Sequence, residues 1–233
     1  MSARAAGDAE RWMEHGTKIL LDVFATIRDD ALDLPSGLPG WRRRELLAHV
    51  AGNAEALDRL VAWARTGVET PMYSSPGQRE ADITAGAGRP AAALRSWVAT
   101  SAARLADDWT ALPPDRRLAK VRTARGRLVP AGEIPWLRAR EVMVHTVDLN
   151  AGVEFADLPA DFLLALGDDI VAKRSSASGP GLTLVATDAD GRWQLPGPGP
   201  AIVTGPLPDL TAYLAGRPGA LDGNGAPALP RWL

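Results

Sequence analysis

The chain has 233 residues, of which 46% are hydrophobic and 23% charged, a composition typical of globular proteins rather than disordered or fibrous ones. Its formal net charge of -2, without a long basic run, argues against nucleic acid as the main partner. The sequence contains no cysteine, which excludes disulfides, cysteine-ligated zinc and a protein thiol nucleophile. Any thiol chemistry therefore needs a sulfur atom that arrives on a small molecule.

No stretch approaches the about 18 consecutive apolar residues of a membrane-spanning helix. The first residues, "MSARAAGDAERW", lack the hydrophobic core of a signal peptide. We therefore expect a cytoplasmic protein that does not associate with membranes. We also expect it to be a monomer.

Amphipathic helices are predicted along the first two thirds of the chain, because apolar residues recur there at helical spacing. Asp8 is the expected N-cap of the first helix, and Gly67 stands where a glycine would end the second. Residues 68–89 carry many turn formers and predict a long loop. The predicted helices cover residues 8–32, 42–66, 90–112 and 135–150. This pattern favours a four-helix bundle.

The pattern changes after about residue 152, where a shorter helix is predicted over residues 160–174. The segments "LTLVATD", "DADG" and "RWQL" predict a β-hairpin, "AIVT" a further strand and "PDLTAYLAG" a short helix; upstream, "LVP" predicts a short extended segment. We predict a two-domain α+β protein. Residues 1–152 form the helical bundle, and residues 153–233 form a small α+β domain with a short antiparallel sheet.

A candidate metal site lies in the segment "REVMVHTVDL". Glu141 and His145 are four residues apart, so on a helix their side chains project to the same side. His49 lies on the inward stripe of the second helix and supplies a third ligand. Two imidazoles and one carboxylate match a zinc site with one open position. A hydrogen-bonded core histidine beside a carboxylate is the competing interpretation, and the spacing alone leaves both open.

Two further polar residues need an interpretation. His15 lies between apolar positions of the first helix and is interpreted as an ordinary polar or half-buried side chain. Asp148 follows His145 by three residues and is predicted to orient a ligand or the substrate. An exposed acid near a helix end is an equally good interpretation of Asp148.

The sequence resembles the mycothiol-dependent maleylpyruvate isomerase family, whose helical bundle is of the DinB type. The resemblance runs nearly end to end. Generic DinB-like bundles share the metal ligands but lack "ETPMY" and "PRWL". The matching segments are "LLAHVAGNA", "WARTGVETPMYSSP", "RGRLVPAGEIPWLRAREVMVHTVDL", "AYLAGR" and "PRWL".

This resemblance implies zinc and mycothiol as cofactors and maleylpyruvate as the substrate. It implies that His49, Glu141 and His145 hold the zinc ion, and that Arg217 of "AYLAGR" acts in catalysis from the C-terminal domain. In the implied reaction a zinc-activated thiolate adds to the cis double bond, the resulting single bond rotates, and elimination gives fumarylpyruvate. The guanidinium of Arg217 would bind carboxylate or enolate oxygens in a cleft between the two domains.

Other functions remain open at this point. Relatives in the superfamily transfer mycothiol to electrophiles, and such S-transferases begin from the same zinc-activated thiolate. A non-catalytic metal- or ligand-binding module is a third possibility, since the C-terminal domain resembles sterol-carrier-like folds. The donor set would also accept manganese, nickel or cobalt.

Overall fold

The computed structural model describes residues 7–175, 179–199, 201–217, 221 and 226–229. The chain divides into a helical unit, Ala6–Gly152, and a C-terminal unit whose described part begins at Val153. The segment "PRWL", which supports the family resemblance, lies outside the described residues. No described helix combines the length and the apolar character needed to cross a membrane.

Five α-helices build the described part of the helical unit, and all but α3 match helices that the sequence predicts. They are α1 (Asp8–Thr26), α2 (Arg43–Thr66), α3 (Gln78–Ala87), α4 (Ala91–Thr110) and α5 (Ile134–Asp148). Apolar side chains from α1, α2, α4 and α5 share one core, which includes Leu20, Phe24, Leu46, Leu94 and Val142. The predicted helical bundle is confirmed.

The helix α1 is shorter than predicted. It ends at Thr26 because Ile27 adopts an extended backbone, and a separate 3-10 turn follows over Asp30–Asp33. Gly7, rather than Asp8, is its N-cap. Asp8 lies in the first turn, where its carboxylate still interacts favourably with the positive end of the helix.

The prediction of a long loop over residues 68–89 is wrong in its second half, because α3 occupies Gln78–Ala87. The glycines in "TAGAG" suggested a loop, yet one of them permits the packing of this helix. A Cβ atom at Gly86 would lie 2.4 Å from the Trp97 ring and 2.8 Å from Ala48. The missing side chain lets α3 approach α2 and α4, and this tertiary contact outweighs the weak helix propensity of glycine.

A close approach also joins α1 to α5. A Cβ atom at Gly16 would lie 2.7 Å from the Val142 side chain. Between α4 and α5, the strands β1 (Lys120–Arg122) and β2 (Leu128–Pro130) pair in antiparallel fashion. The extended segment predicted at "LVP" is therefore confirmed.

The C-terminal unit combines helices with a three-stranded sheet. Its elements are α6 (Ala160–Arg174), β3 (Leu182–Ala186), β4 (Arg192–Leu195), β5 (Ala201–Gly205) and α7 (Leu207–Leu214). The predicted hairpin is confirmed as β3 and β4, whereas β5 runs parallel to β3 on its other side. Gly167 of α6 contacts the Trp193 ring of β4 and so seats the helix on the sheet. The α+β class is thus confirmed, with one parallel strand pair added.

Candidate metal centre

The three side chains predicted as metal ligands lie together in the helical unit. His49 projects from α2, and Glu141 and His145 project from α5. Each offers one ligand atom, and these atoms all lie within 4.8 Å of one another. That these three residues bind a metal ion stays a prediction.

The carboxylate of Glu141 is the centre of this group. Its Oε2 lies 3.0 Å from Nε2 of His49 and 3.4 Å from Nε2 of His145. The two imidazole rings stand nearly perpendicular, with centroids 5.1 Å apart. Both Nε2 atoms therefore face the same carboxylate oxygen, as they would face a shared cation.

The ring of His145 is held from its other side by Asp148. Nδ1 of His145 lies 2.8 Å from Oδ2 of Asp148, whose side chain is 1% exposed. The buried carboxylate accepts a hydrogen bond from Nδ1–H, so that the neutral imidazole carries its lone pair on Nε2, where a metal would bind. Asp148 is thus buried beside His145, which argues against the interpretation as an exposed acid.

The electrostatics of the group follow from burial and mutual hydrogen bonding. Burial alone would raise the pKa of Glu141, but hydrogen bonds from His145 and His49 hold that pKa well below its usual range. Burial disfavours the charged form of His145 too and alone would lower its pKa, yet hydrogen bonds to Asp148 and Glu141 raise that pKa to about 9. Burial lowers the pKa of His49 despite its contact with Glu141. A carboxylate that stays ionised is a competent metal ligand.

This donor set fits a divalent transition metal such as zinc. It offers two imidazole nitrogens and one carboxylate oxygen, and a catalytic zinc site requires three protein ligands of these kinds. The metal-free alternative, a histidine that simply satisfies its hydrogen bonds, explains one His–Glu contact. Two imidazoles that converge on one carboxylate oxygen, with a second carboxylate holding one of the rings, are in addition the arrangement expected of a metal site.

Hydrogen bonds join the amino end of α2 and the loop before it to the carboxyl end of α5, near the site. Arg43, in the first turn of α2, donates from Nε to the carbonyl of Leu149 at a distance of 2.8 Å. Its Nη2 also donates to the carbonyl of Asn150. The backbone N–H of Gly37 donates to the carbonyl of Asp148. These bonds fix the carboxyl end of α5 against the amino end of α2, close to His145.

Residues that the sequence analysis did not single out also surround His49. Nη2 of Arg79 lies 3.4 Å from Nδ1 of His49, and the Trp41 ring packs against the imidazole at a centroid distance of 5.7 Å. The Arg79 guanidinium also lies over the Trp41 ring. Arg79 belongs to α3, which was predicted as a loop. The position of Arg79 beside His49 depends on this helix, and the spacing of residues in the sequence does not predict the contact.

Two other candidate residues were named from the sequence, one in each unit. His15 is exposed on α1, as an ordinary polar side chain would be. Arg217 follows α7 in the C-terminal unit, and its Nη1 donates to the carbonyl of Ala215 at 2.7 Å. This contact is typical of a cation at the carboxyl end of a helix. The catalytic role of Arg217 stays a prediction.

Known proteins share both the sequence pattern and the fold. The family model described as "Mycothiol maleylpyruvate isomerase N-terminal domain" matches residues 13–150, which include all three candidate ligands. The chain belongs to the mycothiol maleylpyruvate isomerase family. No curated protein sequence matches it at a significant level.

Solved structures extend the similarity over both units. A crystal structure of the mycothiol-dependent maleylpyruvate isomerase is similar with a TM-score of 0.91 and 38% sequence identity, covering 97% of this chain and 96% of that one. The crystal structure of a histidine-to-alanine mutant of that enzyme matches with a TM-score of 0.91 and 37% identity over the same shares. The family resemblance noted in the sequence is confirmed.

Proposed function

We propose that this member of the family is a mycothiol-dependent isomerase that converts maleylpyruvate to fumarylpyruvate. The observation that carries the proposal is the convergence of His49, Glu141 and His145 in a chain that matches such an isomerase over 97% of its length. When bound, a zinc ion would supply the Lewis acidity that lowers the pKa of a thiol, and mycothiol would supply that thiol. A chain without cysteine has no thiol of its own for this chemistry.

The residues of the helical unit would prepare the site for the cation. His49, Glu141 and His145 would provide its protein ligands. Asp148 would keep the Nδ1 proton of His145 in place, so that the imidazole presents Nε2 as a ligand. Glu141 stays ionised because the two imidazoles stabilise its negative charge.

Two arginines would recognise the negative charge of the reactants. Arg79 places its guanidinium beside His49, where a thiolate or a substrate carboxylate would be attracted. Arg217 of the C-terminal unit keeps the role that the family resemblance implies, which is to bind carboxylate or enolate oxygens. The cytoplasm remains the expected location, because a small thiol must stay reduced to act.

The decisive experiment measures turnover of maleylpyruvate with and without mycothiol. The enzyme is assayed as purified, after treatment with a chelator, and after zinc is restored. We expect turnover only when both the thiol and the metal are present. Mycothiol should remain at its starting concentration, because an isomerase regenerates the thiol that adds.

The thiol balance separates the candidate functions. Stoichiometric loss of free mycothiol, with a stable adduct as product, would identify an S-transferase instead. Metal binding without any thiol-dependent turnover would identify a non-catalytic binding module. Metal analysis of the protein as purified would identify the ion, since the same donors also accept manganese, nickel and cobalt.

A further inference from the structure

The segment that contains β1 and β2 concentrates positive charge on the surface of the helical unit. Six of the 26 basic residues of the chain fall within residues 116–130 (the basic hairpin), and no acidic residue does. Since uncharged residues separate most of them, the sequence shows no long basic run. The six basic residues are Arg116, Arg117, Lys120, Arg122, Arg125 and Arg127.

The basic hairpin is anchored to the rest of the helical unit. Val121 of β1 and Val129 of β2 pair with each other and are both buried. The strand β1 contacts α2. At the turn between the strands, the backbone N–H of Ala124 donates to Sδ of Met72 at 3.1 Å. The opposite face of the hairpin is therefore held toward solvent by an ordered scaffold.

This outer face carries exposed apolar side chains beside its cations. Lys120 and Arg122 alternate along β1 with the buried Val121, so they project to the other side of the hairpin. Leu128 lies directly opposite Arg122 in the ladder, and the two side chains share the outer face. Leu128 is 55% exposed, and Leu118, two residues before Lys120, is 76% exposed.

Most of the positive charge is not neutralised by acidic groups of the chain. Arg117 pairs with Glu10 at 2.8 Å, and Arg116 lies 3.9 Å from Asp115. Salt screens more distant acids, because the Debye length is about 8 Å at physiological ionic strength. Among the residues that the structure describes, the remaining four basic side chains form no ion pair and are all exposed; they are Lys120, Arg122, Arg125 and Arg127.

The composition of the outer face restricts its partner. Proteins that bind single-stranded nucleic acid stack bases on aromatic side chains, and amide side chains commonly read base edges. Residues 116–130 contain no aromatic and no amide side chain. Exposed leucines gain little from a phosphate backbone. The surface of an anionic bilayer suits both groups, because it attracts cations and lets apolar side chains approach the acyl chains.

We infer that the basic hairpin is a peripheral contact site for an anionic lipid bilayer, with its cations among the lipid phosphates and Leu118 and Leu128 directed toward the acyl chains. Such contact differs from the sequence-based expectation that the protein does not associate with membranes. It requires no membrane-spanning helix, because interfacial binding needs no apolar span. The contact is also separate from the candidate metal centre. The hairpin precedes the amino end of α5, and Glu141 lies about 10 Å beyond Ile134 along that helix.

Co-sedimentation of the full-length protein with lipid vesicles tests the inference. One set of vesicles consists of phosphatidylcholine, and the other of equal parts phosphatidylcholine and phosphatidylglycerol. Each cation near an anionic surface strengthens binding roughly fivefold. Four unpaired cations therefore predict at least about hundredfold tighter binding to the anionic vesicles. This difference should largely disappear in about 1 M salt, where the Debye length is about 3 Å.

Matched pairs of substitutions locate the contact. Arg125→Gln combined with Arg127→Gln removes two unpaired cations and should weaken binding to the anionic vesicles at least about tenfold. Lys18→Gln combined with Arg28→Gln removes the same charge from exposed positions in or just after α1. This control should bind within about twofold of the wild type. Circular dichroism checks that the helical content of every variant is unchanged.

The leucines distinguish a bilayer from other polyanions. Leu118→Asn combined with Leu128→Thr keeps every charge and should weaken vesicle binding at least about fivefold, because less apolar surface leaves water. Full vesicle binding by this variant would show that charge attraction is sufficient, and would overturn the inference. Tight binding of a labelled RNA oligonucleotide in that case would assign the hairpin to nucleic acid.

Two other outcomes would also overturn the inference. The first is equal binding of the wild-type protein to neutral and anionic vesicles, or binding to neither. The second is full binding of the anionic vesicles by the variant that lacks Arg125 and Arg127, which would place the contact elsewhere. None of these results depends on isomerase activity, so the proposed function is tested separately.

Discussion

The hydrogen bond between Asp148 and His145 should strengthen metal binding by an amount that can be measured. Asp148 is 2% exposed, and its Oδ2 lies 2.8 Å from Nδ1 of His145. Removal of a carboxylate that orients a metal-ligating imidazole typically weakens metal affinity about 10- to 100-fold. This range equals about 1.4–2.8 kcal/mol of binding free energy.

Two substitutions divide this effect into charge and hydrogen bonding. Asp148→Asn keeps the size of the side chain and an oxygen acceptor, so only the charge is lost and we expect about a tenfold increase in the zinc Kd. Asp148→Ala removes the acceptor as well and should approach about a hundredfold increase. Competition with a chromophoric chelator measures both constants, and circular dichroism checks that the helices persist.

A matched control comes from an acid away from the site. Asp107 on α4 is exposed, and Asp107→Ala should bind zinc as the wild-type protein does. The reasoning about Asp148 is refuted if Asp148→Ala, with its helical content intact, binds zinc with wild-type affinity. In that case the ring of His145 does not need its buried partner.

Three further substitutions test other parts of the structure. His49→Ala should abolish thiol-dependent turnover and release the metal with little loss of helical signal; a fully active variant that retains zinc would exclude His49 as a ligand. Arg217→Ala should retain zinc but lose most turnover, and turnover equal to the wild type would remove Arg217 from the mechanism. Burial and Asp108 raise the pKa of Asp58 from 3.8 to about 6. The folded protein therefore binds this proton more tightly than the unfolded chain does, and the protonated carboxyl group stabilises the fold fully below about pH 3.8. This contribution to the unfolding free energy is lost as the pH rises through about 6. Asp58→Asn should therefore exceed the wild type in unfolding free energy by about 1 kcal/mol at about pH 8 and by less at about pH 5, and a pH-independent difference in urea titrations would contradict this assignment.

The candidate centre was predictable because its residues follow local rules. Glu141 and His145 share a helix face at four-residue spacing, and His49 lies on the inward stripe of another helix. The helix boundaries were also readable where glycine or proline marks them. Gly67, for example, adopts a positive φ of 76° at the end of α2.

Other features could not be read from local patterns. The helix α3 depends on the packing of Gly86 against Trp97 and Ala48, a tertiary contact that the periodicity of apolar residues does not report. The direction of β5 relative to β3 depends on the connection between them, because strand periodicity does not distinguish parallel from antiparallel pairing. Arg79 gains its significance from neighbours outside its own helix, so composition and spacing gave no signal for it.

The bonds from Arg43 to the end of α5 have a consequence for how an ion enters and leaves. Since hydrogen bonds within the chain join the two helices that carry the candidate ligands, we expect these ligands to keep their arrangement without a bound ion. Loading would then be an exchange on a preorganised scaffold rather than a folding event, unlike a zinc finger that collapses around its metal. Removal of the metal ion and its replacement by a different ion should consequently be reversible. The site would then allow different metals to be compared in one unchanged protein.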